Sequence, residues 1–379
     1  MQYRKFGKLD FQASALGFGC MRLPILGEDA NKVDESLAIE MIRYAIDHGV
    51  NYIDSAHGYH GGNSEKVVGK ALQDGYRAKV KVATKLPPWA CKTADDFDRL
   101  LDEQRKRLQV EKIDVYLLHN MQVPFWKKLR DLNILDWLDR IQADGRVGVV
   151  GFSFHDDYDL LTEVINAYDQ WAMCQIQYNY MNEDVQAGTK GLKFAADNGL
   201  AVVIMEPLLG GCLAKAPEPV QAILDRAPTR RTPADWALQW LWHKPEVAVV
   251  LSGMTAMEHV VENVASAERS GVGRLTAEEL DIIAQVQEKY AELRVVPCTQ
   301  CGYCMPCPND VDIPKNMQLY SDAMVFRGNQ LLLNRNLYRG MAEEQRAGAC
   351  EGCKECEEKC PQHIKISQVM PKIHEQFGK

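Results

Sequence analysis

No uncharged apolar run in this chain approaches the roughly 20 residues that a membrane-crossing helix needs. Its opening residues, Met1 to Asp10, have no apolar core of the signal-peptide kind. The expectation is therefore a cytoplasmic protein without membrane contact. Positive charge is not in excess: 44 Lys and Arg stand against 52 Asp and Glu, a net charge of −8 with pI near 5.7. That excludes a chain-wide affinity for nucleic acid or anionic membrane. There is no P-loop, no zinc-protease H-E-x-x-H and no G-x-S-x-G nucleophile elbow. Gly17-Phe-Gly19 runs on into Cys-Met-Arg and never completes G-x-G-x-x-G, so the phosphate turn of an open dinucleotide-binding sheet is missing. Cysteine is scarce for most of the length: only Cys20, Cys91, Cys174 and Cys212 precede residue 298.

What is present is alternation. Asp34 to His48 carries apolar residues at 37, 38, 41, 42, 45 and 46, a helical stripe that Gly49 closes. Strands are expected at 13–19, up to Asp54, and at 80–85, 113–119, 147–153, 173–178, 200–205 and 247–252. Helices are expected between them, one from a Ser64 cap, one over 125–143, and a last one over 276–292. Such alternation favours parallel strands with helical crossovers. Eight units in about 270 residues suit a closed (β/α)8 barrel. The expected division is a barrel domain over 1–292 and a smaller domain over 293–379.

Four ionisable residues stand at or just past strand ends: Asp54, Tyr59, Lys85 and His119. Neighbouring strands of a barrel bring such positions to one rim. A phenol ordinarily titrates near 10, too high for an efficient acid at neutrality. An adjacent ammonium lowers that value, and Lys85, held by Asp54, would supply it. A neutral His119 would donate a hydrogen bond to a carbonyl oxygen.

Eight cysteines crowd the tail in two blocks: Cys298, Cys301, Cys304 and Cys307 before Pro308, then Cys350, Cys353, Cys356 and Cys360 before Pro361. In a reducing compartment such a cluster points to metal. The second block has the bacterial ferredoxin spacing, and the first is one residue shorter before its last cysteine. Three thiolates of a block reach one cluster, and the cysteine before proline commonly serves the other. Two [4Fe–4S] clusters follow, one on Cys298, Cys301, Cys304 and Cys360, the other on Cys350, Cys353, Cys356 and Cys307. A single cluster on the second block and two structural zinc sites are the alternatives. Helices are expected over 314–326 and 328–346, giving a small, mostly helical ferredoxin-like domain.

In their settings NYIDSA, GYHGGNSE, VATK and DVYLLH, the four rim residues resemble the catalytic tetrad of the aldo-keto reductases over about the first 290 residues. The resemblance implies a (β/α)8 barrel that binds NADP or NAD without a Rossmann domain and reduces a small-molecule carbonyl. Tyr59 would be the proton donor, Lys85 and Asp54 would tune it, and His119 would orient the carbonyl. It also implies a cofactor slot lined by Gly19, Met21, Asp54, Ser153, Gln175, Met205, Pro207, Leu208, Gly253, Glu262 and Asn263. Three departures stand out. Phe154 takes the place of an Asn, Met205 takes that of a nicotinamide-stacking Tyr, and Gly253 and His259 replace the cations that usually hold a 2′-phosphate. The clusters would pass electrons to a redox partner protein, sense redox state or brace the tail. The rival readings are an iron–sulfur reductase, with or without a flavin, and a redox-sensing subunit.

Overall fold

The structure, a computed structural model, describes residues 1–298 and 302–378. The chain forms two compact units, Met1–Leu209 with Ala234–Thr276, and Gly210–Pro233 with Ala277–Lys379.

The first unit begins with an antiparallel pair, β1 (Tyr3–Lys5) and β2 (Gln12–Ser14), in register Tyr3 opposite Ser14. Eight parallel strands then close a barrel among the described residues: β3 (Leu16–Gly19), β4 (Tyr52–Asp54), β5 (Lys81–Leu86), β6 (Ile113–Met121), β7 (Val147–Phe154), β8 (Trp171–Gln177), β9 (Ala201–Met205) and β10 (Val247–Gly253). The order follows the sequence, with β10 pairing β3 to shut the ring. Strands covered by helices outside and by side chains inside are buried on both faces. That is why β9 and β10 read as nearly unbroken Val, Ile and Ala runs.

Helix α1 (Glu35–Asp47) buries Ala38, Met41, Ile42, Ala45 and Ile46, and its first turn is capped by Asp34, whose carboxylate accepts from Leu37 N at 3.2 Å. Gly49, at φ +94°, ends it, a conformation that favours glycine. Helix α2 (Asn63–Ala71) differs from expectation at its start: Gly62 is the cap, and Ser64 lies inside the helix. The Ser64 hydroxyl is used elsewhere, on Cys20 O at 3.0 Å and Ser55 Oγ at 2.9 Å. Helix α3 (Asp95–Leu108) follows β5. The single helix expected over 125–143 is two, Val123–Asp131 and Ile134–Ala143, separated at Asn133 with φ +56°.

The second unit is mostly helical. It holds Glu218–Leu224, Ala277–Glu292, Ile313–Phe326, Gly328–Gly340 and Ile366–Phe377. The second of the expected tail helices, read as 328–346, thus ends at Gly340, with a short 3₁₀ turn, Glu343–Gln345, beyond it. Val311, Ile313, Met317, Leu319, Tyr338, Met370, Ile373 and Phe377 form its core together with Cys304, Cys356 and Cys360. The helix Ala277–Glu292, read from the sequence as the close of the barrel domain, groups with this unit.

Among the described residues, no helix is long and apolar enough to cross a membrane.

Candidate active site and cysteine core

Successive residues of a strand face opposite sides, so Lys85 enters the barrel while its neighbour Thr84 faces the helices. Lys85 is fully buried and Asp54 is 2% exposed. A buried ammonium needs partners, and Lys85 Nζ has them: Asp54 Oδ1 at 2.7 Å, Asp54 Oδ2 at 2.8 Å and Ser55 O at 2.8 Å. It also reaches Tyr59 Oη at 3.5 Å, on the 3₁₀ turn that follows β4. His119, two residues before the end of β6, meets the Tyr59 ring edge to face, with centroids 6.1 Å apart. Trp89, 47% exposed, packs 5.1 Å from His119. The structure therefore brings all four rim residues together. Trp89, from the turn after β5, joins them; the sequence reading passed over it, although an aromatic just past a barrel strand was the signal.

The electrostatics follow from burial. Burial pushes Lys85 down, but the Asp54 carboxylate and Tyr59 outweigh it, and the net direction is up. Burial raises Asp54 against the pull of Lys85. Burial also raises Tyr59; Lys85 pulls it down, as expected, without prevailing. Tyr59 thus keeps its proton more firmly than a free phenol, which differs from the lowering that a lone ammonium would give. His119 is driven well below its usual value by burial first and then by Lys85 and two neighbouring imidazoles, so it is neutral at physiological pH.

Among the described residues, His119 Nδ1 and Gln175 Oε1 are buried without a hydrogen-bond partner. Buried polar atoms are usually paired, so each is a ready donor or acceptor. Gln175 Nε2 lies 3.8 Å from Met205 Sδ, and the Ser153 hydroxyl accepts from Asn120 N at 2.8 Å. An amide oxygen, a hydroxyl and a thioether at adjacent strand ends fit a nicotinamide carboxamide and its ring. At the other end of the expected slot, Asn263 Nδ2 holds Ser252 Oγ at 3.0 Å. Met21 and Gly253 are exposed, Pro207 is buried, and Leu208 and Glu262 are partly so. Gly19 packs so tightly on β10 that a Cβ there would stand 3.2 Å from Ser252 O. A Cβ at Gly253 would meet the Arg22 side chain at 3.2 Å. Arg22 is therefore a cation beside the position where the sequence reading found one missing; a basic residue just after β3 was the available signal.

In the second unit, Cys298, Cys304 and Cys360 line one cavity with Ile313, Met317, Ile364 and Ile366. Cys356 is pushed up to about 11, by burial first, with Cys350, Cys353 and Cys304 also raising it, so these thiols are neighbours. Cys307 and Cys350 pack against the same core, while Cys353 is exposed. Cys301 lies outside the described residues. Among the described residues, no three His, Cys, Asp and Glu side chains stand together as an ion site. The donor set, soft thiols around an apolar pocket, is the kind that suits iron–sulfur ligation.

The chain is 26% identical over 307 residues to the NADH-specific methylglyoxal reductase of Escherichia coli, covering 69% of this chain and 91% of that protein. It is 25% identical over 313 residues to the L-galactose dehydrogenase of Arabidopsis thaliana, covering 75% and 95%. The fold matches that of a Bacillus halodurans aldo-keto reductase in its holo form, with TM-score 0.63 at 24% identity, over 76% of this chain and 96% of that one. Residues 297–365 match the 4Fe-4S dicluster domain. Because the aldo/keto reductase family model matches residues 15–288, most of the chain, this protein belongs to that family of oxidoreductases and carries a 4Fe-4S dicluster domain after its barrel.

Proposed function

We propose that the barrel is a nicotinamide-dependent reductase of a small-molecule carbonyl, with Tyr59 as the proton donor. The observation that carries this reading is Lys85 Nζ, bonded to both oxygens of Asp54 and 3.5 Å from Tyr59 Oη. Nicotinamide, when bound, supplies the hydride. The chain's own residues do the rest. His119, neutral, donates a hydrogen bond to the carbonyl oxygen and orients it. Tyr59 holds its proton until that oxygen gains negative charge, then releases it. Lys85 stabilises the phenolate left behind, and Asp54 keeps the ammonium in place and charged. Gln175 and Ser153 would hold the carboxamide, Met205 would pack on the ring, and Pro207 and Leu208 would complete that wall. Gly19, Met21, Gly253, Glu262 and Asn263 would line the remainder of an NADP or NAD site, with Arg22 offering a phosphate partner. Similarity to a methylglyoxal reductase and a sugar dehydrogenase supports carbonyl–alcohol chemistry.

The tail carries two [4Fe–4S] clusters in this reading, one on Cys298, Cys301, Cys304 and Cys360 and one on Cys350, Cys353, Cys356 and Cys307. The shared cavity of Cys298, Cys304 and Cys360 supports the first set. Cys350 and Cys353 stand close enough to raise the Cys356 thiol, which supports the second, and Cys304 of the first set acts on the same thiol. Clusters move single electrons, whereas hydride moves two at once. Their role is therefore exchange with a redox partner protein, apart from the carbonyl step.

Tyr59→Phe tests the barrel. Carbonyl reduction should fall by about 10²–10⁴-fold, the usual worth of a general acid, while nicotinamide binding followed by fluorescence stays intact. Unchanged turnover would remove Tyr59 from the reaction. Anaerobic purification tests the tail: a brown protein with about eight iron atoms per chain is expected, and zinc in their place would refute the clusters.

A further inference from the structure

Glu65 is fully buried, on α2 behind the strand that carries Lys85. A buried carboxylate persists only with its lone pairs used. Its Oε1 accepts from Thr84 Oγ1 at 2.6 Å and from Gln104 Nε2 at 2.8 Å. Gln104, on α3, also donates to the backbone carbonyl of Lys85 at 3.0 Å, and its own oxygen accepts from Tyr116 Oη at 2.6 Å. One branch from Glu65 therefore ends on the main chain of Lys85.

A second branch leads to the other half of the proton-transfer pair. Glu65 Oε2 accepts from Arg107 Nη1 at 3.3 Å. The same nitrogen stands 3.3 Å from His57 O and 3.3 Å from His57 Nδ1. His57 is two residues before Tyr59 on the loop leaving β4. Burial, and then Arg107, lower its pKa, so the ring is neutral and its Nδ1 can accept. The far side of the Arg107 guanidinium is held by Glu103. Gly62, at φ +89°, leaves the space: a Cβ there would stand 3.0 Å from Arg107 Nη1.

We propose that Glu65 is a positioning residue that fixes the distance between Tyr59 and Lys85, through Thr84 and Gln104 on one side and through Arg107 and His57 on the other. This rests on the reading that Tyr59 and Lys85 carry the proton transfer. None of these positioning residues belongs to the rim quartet or to the expected cofactor slot. Their effect is geometric, and a displacement of about 1 Å in such a pair can cost a hundredfold in rate.

The test uses the full-length protein loaded with nicotinamide. Arg107→Ala cuts the branch to the Tyr59 loop. It should lower kcat by about ten- to a hundredfold while leaving the Kd for nicotinamide unchanged. The alkaline limb of kcat/KM against pH should move upward, because Tyr59 loses part of the pull of Lys85. Arg107→Lys should recover part of kcat, since it restores a cation to Glu65. Glu65→Gln should shift the same limb in the same direction. Should Arg107→Ala fail to fold, His57→Ala weakens the same link from the loop side and is read in the same way. A lowered melting temperature with kcat and the pH profile unmoved would overturn the proposal and leave the network merely structural. Tyr59→Phe, run in parallel, separates the two levels: if it retains wild-type turnover, the reading of the proton donor fails instead.

Discussion

Lys85 shows why the site has to be described with its partners. A fully buried ammonium without a counter-charge would shed its proton, yet the pair of Asp54 oxygens within 2.8 Å keeps its pKa above the ordinary lysine value. Asp54→Asn should therefore do two things. It should destabilise the fold by about 3–5 kcal/mol, the cost of breaking a buried pair, as read from urea unfolding. It should also lower the Lys85 pKa, so that turnover becomes dependent on pH near neutrality. In the wild type, His119 is neutral and Tyr59 holds its proton above the usual phenol value. The carbonyl-reducing rate should accordingly be flat between about pH 5 and 8 and fall only above about pH 10. A limb near 6.5 in the pH–rate profile would contradict the neutral imidazole. Residue identity and spacing made this quartet legible. The direction of the Tyr59 shift was not: it depends on how much water the phenol loses, and Lys85 does not overcome that cost.

At the level of elements, the long periodic helices and the doubly buried strands were legible because their patterns leave little choice. The stripe at 38, 41, 42, 45 and 46 is the buried face of α1, and the Gly49 stop stands where read. Asp34→Ala should cost about 1 kcal/mol of stability, the usual worth of an N-cap, with no change in kcat, measured by thermal unfolding beside a turnover assay. Other details depended on neighbours. Ser64 looks like a cap, but its hydroxyl is drawn to Cys20 O and Ser55 Oγ, and Gly62 takes the cap position. The break at Asn133 is a backbone choice, φ +56°, that Asn tolerates better than most residues. Nothing in the apolar periodicity across 125–143 announces it.

For the whole molecule, pH dependence of stability follows from several partly buried imidazoles acting together. His57, His119, His155 and His243 are each held below the ordinary value of 6.5, burial being the first cause in every case. The unfolded chain binds protons on them before the folded chain does. Stability is thus fully present above about pH 6.5 and is lost as pH falls toward the folded values. The melting temperature should drop between pH 7 and 5, and less steeply in His155→Gln. In the second unit, Cys360→Ser should remove the iron of the cluster proposed on Cys298, Cys301 and Cys304, leaving about half the wild-type iron. Loss of iron from the other set instead would reverse the pairing.

The order of motifs along the chain was enough to establish a (β/α)8 barrel of the aldo/keto reductase family and a cysteine-rich iron–sulfur tail, because hydrophobic period and ligand spacing are local properties of sequence. Folding added what is not local. It buried Lys85 against Asp54, set the protonation of Tyr59 and His119, left Gln175 Oε1 without a partner among the described residues, and tied Glu65 both to the main chain of Lys85 and to the loop that carries Tyr59. Those outcomes come from desolvation and from contacts between residues tens of positions apart, and they exist only once the barrel has closed around them.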